Sequence, residues 1–358
     1  LLFFIAVSST TTFHSIAAGA NVITVKIQSY VFRRTIALFI IWGVVALLMN
    51  FFCPSPYAWA QAAKQFKVGI LTDAMAPWHS STNGFRDGLK VFGYVEGKNI
   101  IFEVRTSKGD LARLPKLAAE LIEQKPDLLF CVSDACRKET GPIPIVFTQV
   151  SDPVRLGLVE SFARPGGNIT GIANLRAELT AKRLELFKEI VPALRRVLVT
   201  YDARNTEELE ALSSAKSEAS RLKLIVIENP ITSPLEIEPA LAKLSEGGRD
   251  GILIVQSGTN LNIPGRSLEV ATSNKIPSVY PDSFWSQVGA LTSYGPDQYA
   301  QGRQAARLAH KILTGTPPRE VPVELPHRFE FIINLKTAKR LGLQIPAQVL
   351  SRADRVIQ

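Results

Sequence analysis

Cysteine and histidine are scarce, at three and four residues in a chain of 358. Cys53, Cys131 and Cys136 form no CxxC pair, and no HExxH, zinc-finger spacing or EF-hand loop is present, which excludes the common metal-binding patterns. The phosphate-cradling patterns are missing too: there is no GxGxxG and no GxxxxGK before Ser or Thr. His14, His79, His310 and His327 stand in no triad or metal spacing, so the sequence offers no catalytic set and calls for no cofactor. It reads as a non-enzyme. Blocks of one charge are absent as well. The formal charge is +9, but acidic and basic residues are interspersed. A nucleic-acid footprint gathers Lys and Arg on one face or tail, so no nucleic-acid partner is expected.

Apolar residues, by contrast, make up 46% of the chain, enough at this length for two ordinary domains. One apolar run, Thr35–Phe52, follows Arg33-Arg34 and precedes Ala58-Trp59-Ala60. A basic stretch, an apolar stretch and a small-residue A-x-A site describe a secretory signal peptide. Residues 1–60 are therefore read as a removed leader with cleavage after Ala60 and a periplasmic destination. The competing reading retains residues 35–52 as a membrane anchor. Asn50-Phe51-Phe52 before Cys53 are too bulky for a lipoprotein site. With export, Cys131 and Cys136 remain; an oxidising compartment permits a disulfide, and two separate thiols are the alternative.

Beyond residue 65, apolar runs and amphipathic stretches alternate. Phe66–Leu71, Ile100–Arg105, Leu128–Val132 and Ile143–Phe147 read as strands. Gly84–Phe92 and Leu111–Gln124 between them carry helical spacing. The pattern then restarts. Val197–Tyr201, Leu224–Ile227, Gly251–Val255 and Ile276–Tyr280 read as strands among the helices Glu178–Val191, Thr206–Leu222, Ile237–Leu244 and Leu268–Asn274. Near-continuous apolar strands alternating with helices predict an α/β fold of two doubly wound parallel-sheet lobes. IPSVYPDS in the second half echoes IPIVFTQVSD in the first, as similar positions in two similar lobes would.

The strands end on polar residues: Thr72 and Asp73; Ser133 and Asp134; Thr148, Ser151 and Asp152; Tyr201, Asp202 and Asn205; Gln256 and Ser257; Asp282 and Ser283. In open parallel sheets ligands bind outside the carboxyl ends of the strands, where loops and helix N-termini gather. Each such residue alone is equally an ordinary helix cap; six ends of one character point to a shared cleft. Asp152 and Asp282 are the candidates for a ligand ammonium group. Ser133, Thr148 and Gln256 are candidates for a carboxylate or other polar group. Trp78, Tyr201, Tyr280 and Trp285 stand where they would either clamp an apolar or aromatic ligand moiety or simply pack at the loop roots.

The stretches FRDGLKVFGYVEGKN (85–99), LPKLAA (114–119), 143–171 with its ARPGGNITG, KRLELFKEIVP (182–192), GALTSYGPD (289–297) and 331–343 with Ala353-Asp354 resemble the substrate-binding proteins of ABC transporters. The resemblance is to the family that includes tryptophan- and tyrosine-type binders. It implies a type I periplasmic-binding-protein fold with a hinge. Lobe one would hold 66–171 plus 295–325 and lobe two 172–294 plus 326–358. The chain would cross between them at Gly171–Asn174, Ser293–Gly295 and Leu325–Arg328. One departure is the short segment CVSDACRKETGP (131–142), which puts the equivalence of Ser133 and Asp134 in question.

The function expected is that of an extracytoplasmic solute-binding protein of an ABC importer. It would be a monomer that takes a small-molecule ligand, an amino acid with an aromatic one favoured, to a membrane permease. The alternative is the ligand-sensing ectodomain of an anchored receptor.

Overall fold

The computed structural model describes residues 64–358 apart from 75–76, 78, 109, 133–140, 233–235, 245–248, 256–267 and 269–270. The leader, its cleavage site and Cys53 lie outside the described residues, as do Trp78, Ser133, Asp134, Cys136, Gln256 and Ser257.

The apolar runs form two sheets. The first contains β1 (Phe66–Thr72), β2 (Ile100–Thr106), β3 (Leu128–Cys131), β4 (Ile145–Val150) and β5 (Ile169–Ala173), all parallel, in the order β2-β1-β3-β4-β5. Val68, Ile70 and Leu71 are fully buried. This is the burial of a strand covered on both faces, and it explains why β1 reads as continuous rather than alternating. Helices α1 (Ser80–Val91) and α2 (Leu114–Glu123) follow β1 and β2. The Phe85 ring of α1 stacks on Phe130 of β3 at 4.0 Å between centroids. A buried aromatic of this kind contributes about 1.5–3 kcal/mol by burial alone.

The second sheet has the order β12-β11-β10-β9-β8-β6-β7. Its strands are β6 (Arg196–Tyr201), β7 (Ile225–Pro230), β8 (Asp250–Ile254), β9 (Ser278–Tyr280), β10 (Thr292–Pro296), β11 (Phe329–Asn334) and β12 (Arg355–Ile357). β11 runs antiparallel to β10 and the other pairings are parallel. Around it lie α3 (Arg176–Ile190), α4 (Thr206–Arg221), α5 (Ile237–Leu241), α6 (Ser283–Val288), α8 (Leu335–Arg340) and α9 (Ala347–Leu350). Helix α7 (Gln298–Leu313) instead packs against α1.

The segment β7-β6-β8-β9-β10 repeats the order β2-β1-β3-β4-β5. The two Ile-Pro strands are therefore both fourth in their half, so their echo in sequence marks equivalent positions. β5 is not among the strands read from the sequence pattern. Gly171 sits in it so close to Phe147 that a Cβ would lie 2.2 Å from the Phe147 carbonyl oxygen, and such a glycine reads as a turn in sequence although it is a strand in space.

The chain passes between the sheets after β5, after β10 and before β11. The passages are hydrogen-bonded to one another. Ala173 N donates to Glu324 O (2.8 Å), Glu324 N to Gly171 O (3.0 Å) and Asp297 N to Arg328 O (3.0 Å). The second passage begins at Asp297, beyond Ser293–Gly295, because those three residues still pair with β11. Cys131, at the end of β3, is disulfide-bonded.

Candidate functional site

In the first sheet the strand order reverses between β1 and β3, and in the second between β6 and β8. Ligands of open parallel sheets bind at such switch points. At the carboxyl edge of the first sheet four buried hydroxyls lack a hydrogen-bond partner among the described residues: Ser81, Ser107, Thr148 and Ser151. An unpaired buried hydroxyl costs roughly 1–3 kcal/mol, so four near one edge mark a surface suited to polar contacts. Pairing of β4 with β5 skips from Thr148–Ile172 to Val150–Ala173. Gln149 is the extra residue, at φ +66. A bulge re-aims side chains at a strand end, here next to Thr148 and Ser151.

Other candidates at this edge already have partners. The Thr72 hydroxyl is 3.0 Å from His79 Nε2 and accepts from Ala74 N at 3.2 Å; it shapes the loop after β1. Burial holds the His79 imidazole down to about 4, so the ring is neutral at physiological pH. Asp73 follows Thr72 and is partly exposed. Asp152 accepts from Arg155 N at 3.0 Å, and its other oxygen is 3.7 Å from Arg155 Nε. The same guanidinium reaches Glu210 on α4 at 2.8 Å. The loop after β4 is thus tied to a helix of the second sheet.

On the second sheet, Asn205 caps α4 by accepting from Glu207 N at 3.0 Å. Tyr201 donates to Glu228 at 3.3 Å and packs in the core, so its hydroxyl is engaged toward β7. Asp202 is held by Arg204 through contacts of 2.8 and 2.6 Å, which keep its carboxyl below the usual range. Asp282 differs. It accepts from Phe284 N at 2.7 Å as the cap of α6, and it forms no ion pair among the described residues. Desolvation, with Glu330 and Asp297 adding to it, pushes its carboxyl up. Tyr280 and Trp285 stack beside it in sequence at 4.9 Å.

Residues not singled out from the sequence also lie here: Ser81, Ser107, and the ion pair of Arg176 with Glu207 at 2.6 Å. One signal was available for Arg176. It is the first residue of α3, where the helix dipole disfavours a cation. A separate groove of about 260 Å³ runs beside α1 and α7, lined by Val91, Phe92, Arg303 and His327 among others. It contains none of the strand-end groups, so the polar edge is the better candidate. No group of side chains suited to a metal ion is found among the described residues.

The model of the family described as ABC transporter substrate binding protein matches residues 70–357. A tyrosine-binding protein from Clostridioides difficile is 30% identical over 288 residues, covering 78% of this chain and 82% of that protein. A conserved domain protein from Vibrio cholerae is 28% identical with a TM-score of 0.74, over 82% of this chain and 100% of the other. A Streptococcus ABC domain crystallised with L-Trp has a TM-score of 0.73 at 22% identity, again over 82% and 100%; it shows the shared fold.

Proposed function

We propose that this chain, which belongs to the family of ABC transporter substrate-binding proteins, closes two lobes over an amino acid, an aromatic one favoured, and delivers it to the permease of an importer. Lobe one is 66–173 with 297–325 and lobe two is 174–296 with 326–358, the strands β5 and β10 each staying whole within its own sheet. The linked passages at Ala173, Asp297 and Glu324 serve as the hinge. The protein acts as a monomer outside the cytoplasm after loss of its leader. No helix among the described residues is long and apolar enough to cross a membrane.

The observation that carries this reading is the contrast among three carboxylates at strand ends. Asp152 and Asp202 are each neutralised by an arginine within three residues, whereas Asp282 forms no ion pair among the described residues and the side-chain charges that act on it are those of Glu330 and Asp297. A desolvated carboxylate without a cation is suited to a ligand ammonium group. The tyrosine-binding relative supports the aromatic preference; Tyr280 and Trp285 stack within a buried core cluster behind Asp282. Thr148 and Ser151 supply hydroxyls from the facing lobe, while Thr72, Asp73, Tyr201 and Asn205 shape the walls.

The test is mass spectrometry of ligand released from the purified protein, followed by calorimetry with that compound. D282N is expected to weaken an amino-acid ligand by about 30-fold or more, the loss typical of truncating one partner of a buried charge pair. Unchanged affinity in D282N, or release of a solute without an amine, defeats this assignment.

A smaller effect is expected at Arg155–Glu210, which joins the two lobes in this reading. Both side chains are more than a third exposed, so the pair contributes only about 0.2–1 kcal/mol. R155Q is expected to lower ligand affinity by about two- to fivefold at low salt, and less at high salt. Titrations at two ionic strengths check this; equal losses at both would exclude an electrostatic latch.

A further inference from the structure

Helix α3 carries two buried arginines on one face, Arg176 and Arg183. Arg183 is fully buried and Arg176 is 8% exposed. Arg183 Nε donates to the Tyr294 carbonyl at 2.8 Å and Nη1 to Thr180 Oγ1 at 3.1 Å, while Nη2 has no partner among the described residues. No carboxylate pairs with Arg183 among the described residues. Arg176 Nη1 lies 2.6 Å from Glu207 Oε2 as an ion pair, yet among the described residues Arg176 Nε and Nη1 and Glu207 Oε1 are buried without a hydrogen bond. The cluster therefore holds two guanidinium groups against one carboxylate. Buried charge is tolerated when paired, and here one positive charge is left over. Arg176 also opens α3, so its charge adds to the positive end of the helix dipole. Burial, and then Arg176, lower the Arg183 guanidinium to about 9.

We propose that Arg176, backed by Arg183, is a carboxylate subsite at the start of α3, where the chain first enters the second lobe. The solute is then an acid as well as an amine, held at one end by Arg176 and at the other by Asp282. This assignment rests on the substrate-binding reading and deepens it. Glu207 competes with the ligand for Arg176, so the internal pair is a placeholder that the ligand carboxylate displaces or shares.

Calorimetry with three probes tests it: L-tyrosine, tyramine, which lacks the carboxylate, and 3-(4-hydroxyphenyl)propionate, which lacks the amine. The protein is expected to take L-tyrosine in strong preference to tyramine. R176Q alone strands Glu207 in the interior, so R176Q/E207Q is the variant of choice. It is expected to lose about 30-fold or more for L-tyrosine and most of the preference over tyramine. E207Q is expected to bind L-tyrosine several-fold more tightly, a gain that a merely structural arginine pair does not give. A double variant that keeps both affinity and preference overturns the subsite. If the unaltered protein binds no L-tyrosine, the tyrosine reading fails, and the propionate decides the subsite separately. Its binding to the unaltered protein and not to R176Q/E207Q supports the subsite; no binding to either protein overturns it.

Discussion

Gly302→Ala is expected to destabilise the protein by about 1–3 kcal/mol, the usual cost of overpacking a filled contact, even though alanine favours a helix over glycine by about 0.8–1 kcal/mol. The two effects have opposite signs, so the experiment decides between them. A Cβ on Gly302 would lie 2.0 Å from the Ser81 carbonyl oxygen and 2.7 Å from Phe85 N. Both are backbone atoms and cannot rotate aside. From the opposite helix, a Cβ on Gly84 would lie 2.1 Å from Tyr299 O, and one on Gly88 would lie 2.6 Å from Ala306 Cβ. Helices α1 and α7 therefore touch backbone to backbone, and relief requires moving one of them. That movement would open the core formed by Phe85, Leu89, Phe130, Ala305, Ala306 and Ala309. Gly167 supplies the control: it has open space where a Cβ would go and no positive φ, so G167A is expected to be neutral. Denaturant midpoints of the two variants at equal slope make the comparison. A stabilised G302A would mean that the helices separate at no cost.

The consequence reaches the hinge. Helix α7 leaves from the second passage, and Gln304 and Arg307 on it bind Glu324 beside the third, with the Gln304 contact at 2.8 Å. A shift of α7 therefore moves two of the three passages together. In the two-lobe reading, G302A should impair ligand closure as well as stability.

How much of this was legible in the sequence depends on what a residue needs from its neighbours. The strand–helix alternation was legible because burial on both faces leaves a continuous apolar run, as in β1. The equivalence of β4 and β9 was legible for the same reason, reinforced by the Ile-Pro before each. β4 was read as ending at Phe147, whereas it continues through Thr148 and the bulged Gln149 to Val150. Polarity marks where a strand meets the cleft, which precedes the point where its hydrogen bonds stop. The polar ends were legible as a set, but satisfaction is a tertiary property. Nothing in the run of residues states that Thr72 faces His79 or that Thr148 has no partner among the described residues. For the carboxylates a local signal existed: Asp152 has an arginine three residues on, Asp202 has one two residues on, and Asp282 has none. Arg176 was legible only as a broken rule, a cation opening a helix, and such violations concentrate at functional sites.

The second large effect is the response to acid. The unfolded chain protonates His79 near pH 6.5, while burial in the folded protein lowers the group to about 4. Above pH 6.5 the ring is neutral in both states and contributes no pH dependence. As pH falls from 6.5 toward 4, the unfolded chain takes up a proton that the native state refuses, so unfolding becomes easier by up to about 1.4 kcal/mol per pH unit. Below 4 both states are protonated and the loss levels off, at about 2–3 kcal/mol once the partial exposure of the ring is allowed for. H79Q keeps a hydrogen-bonding group opposite Thr72 and removes the titration. Between pH 7.5 and 4.5 the unfolding free energy of the unaltered protein should therefore fall relative to that of H79Q, the carboxylates common to both cancelling in the difference. Parallel curves would show that His79 reaches water in the native state. The neutral ring also bears on binding. With His79 uncharged beside the end of β1, the proposed site relies for charge on Asp282 and the arginines of α3. Because the Asp282 carboxyl is raised, acid removes its negative charge earlier than for an ordinary aspartate. Affinity for an ammonium ligand should thus decline in the same direction as stability, and H79Q should rescue only the stability.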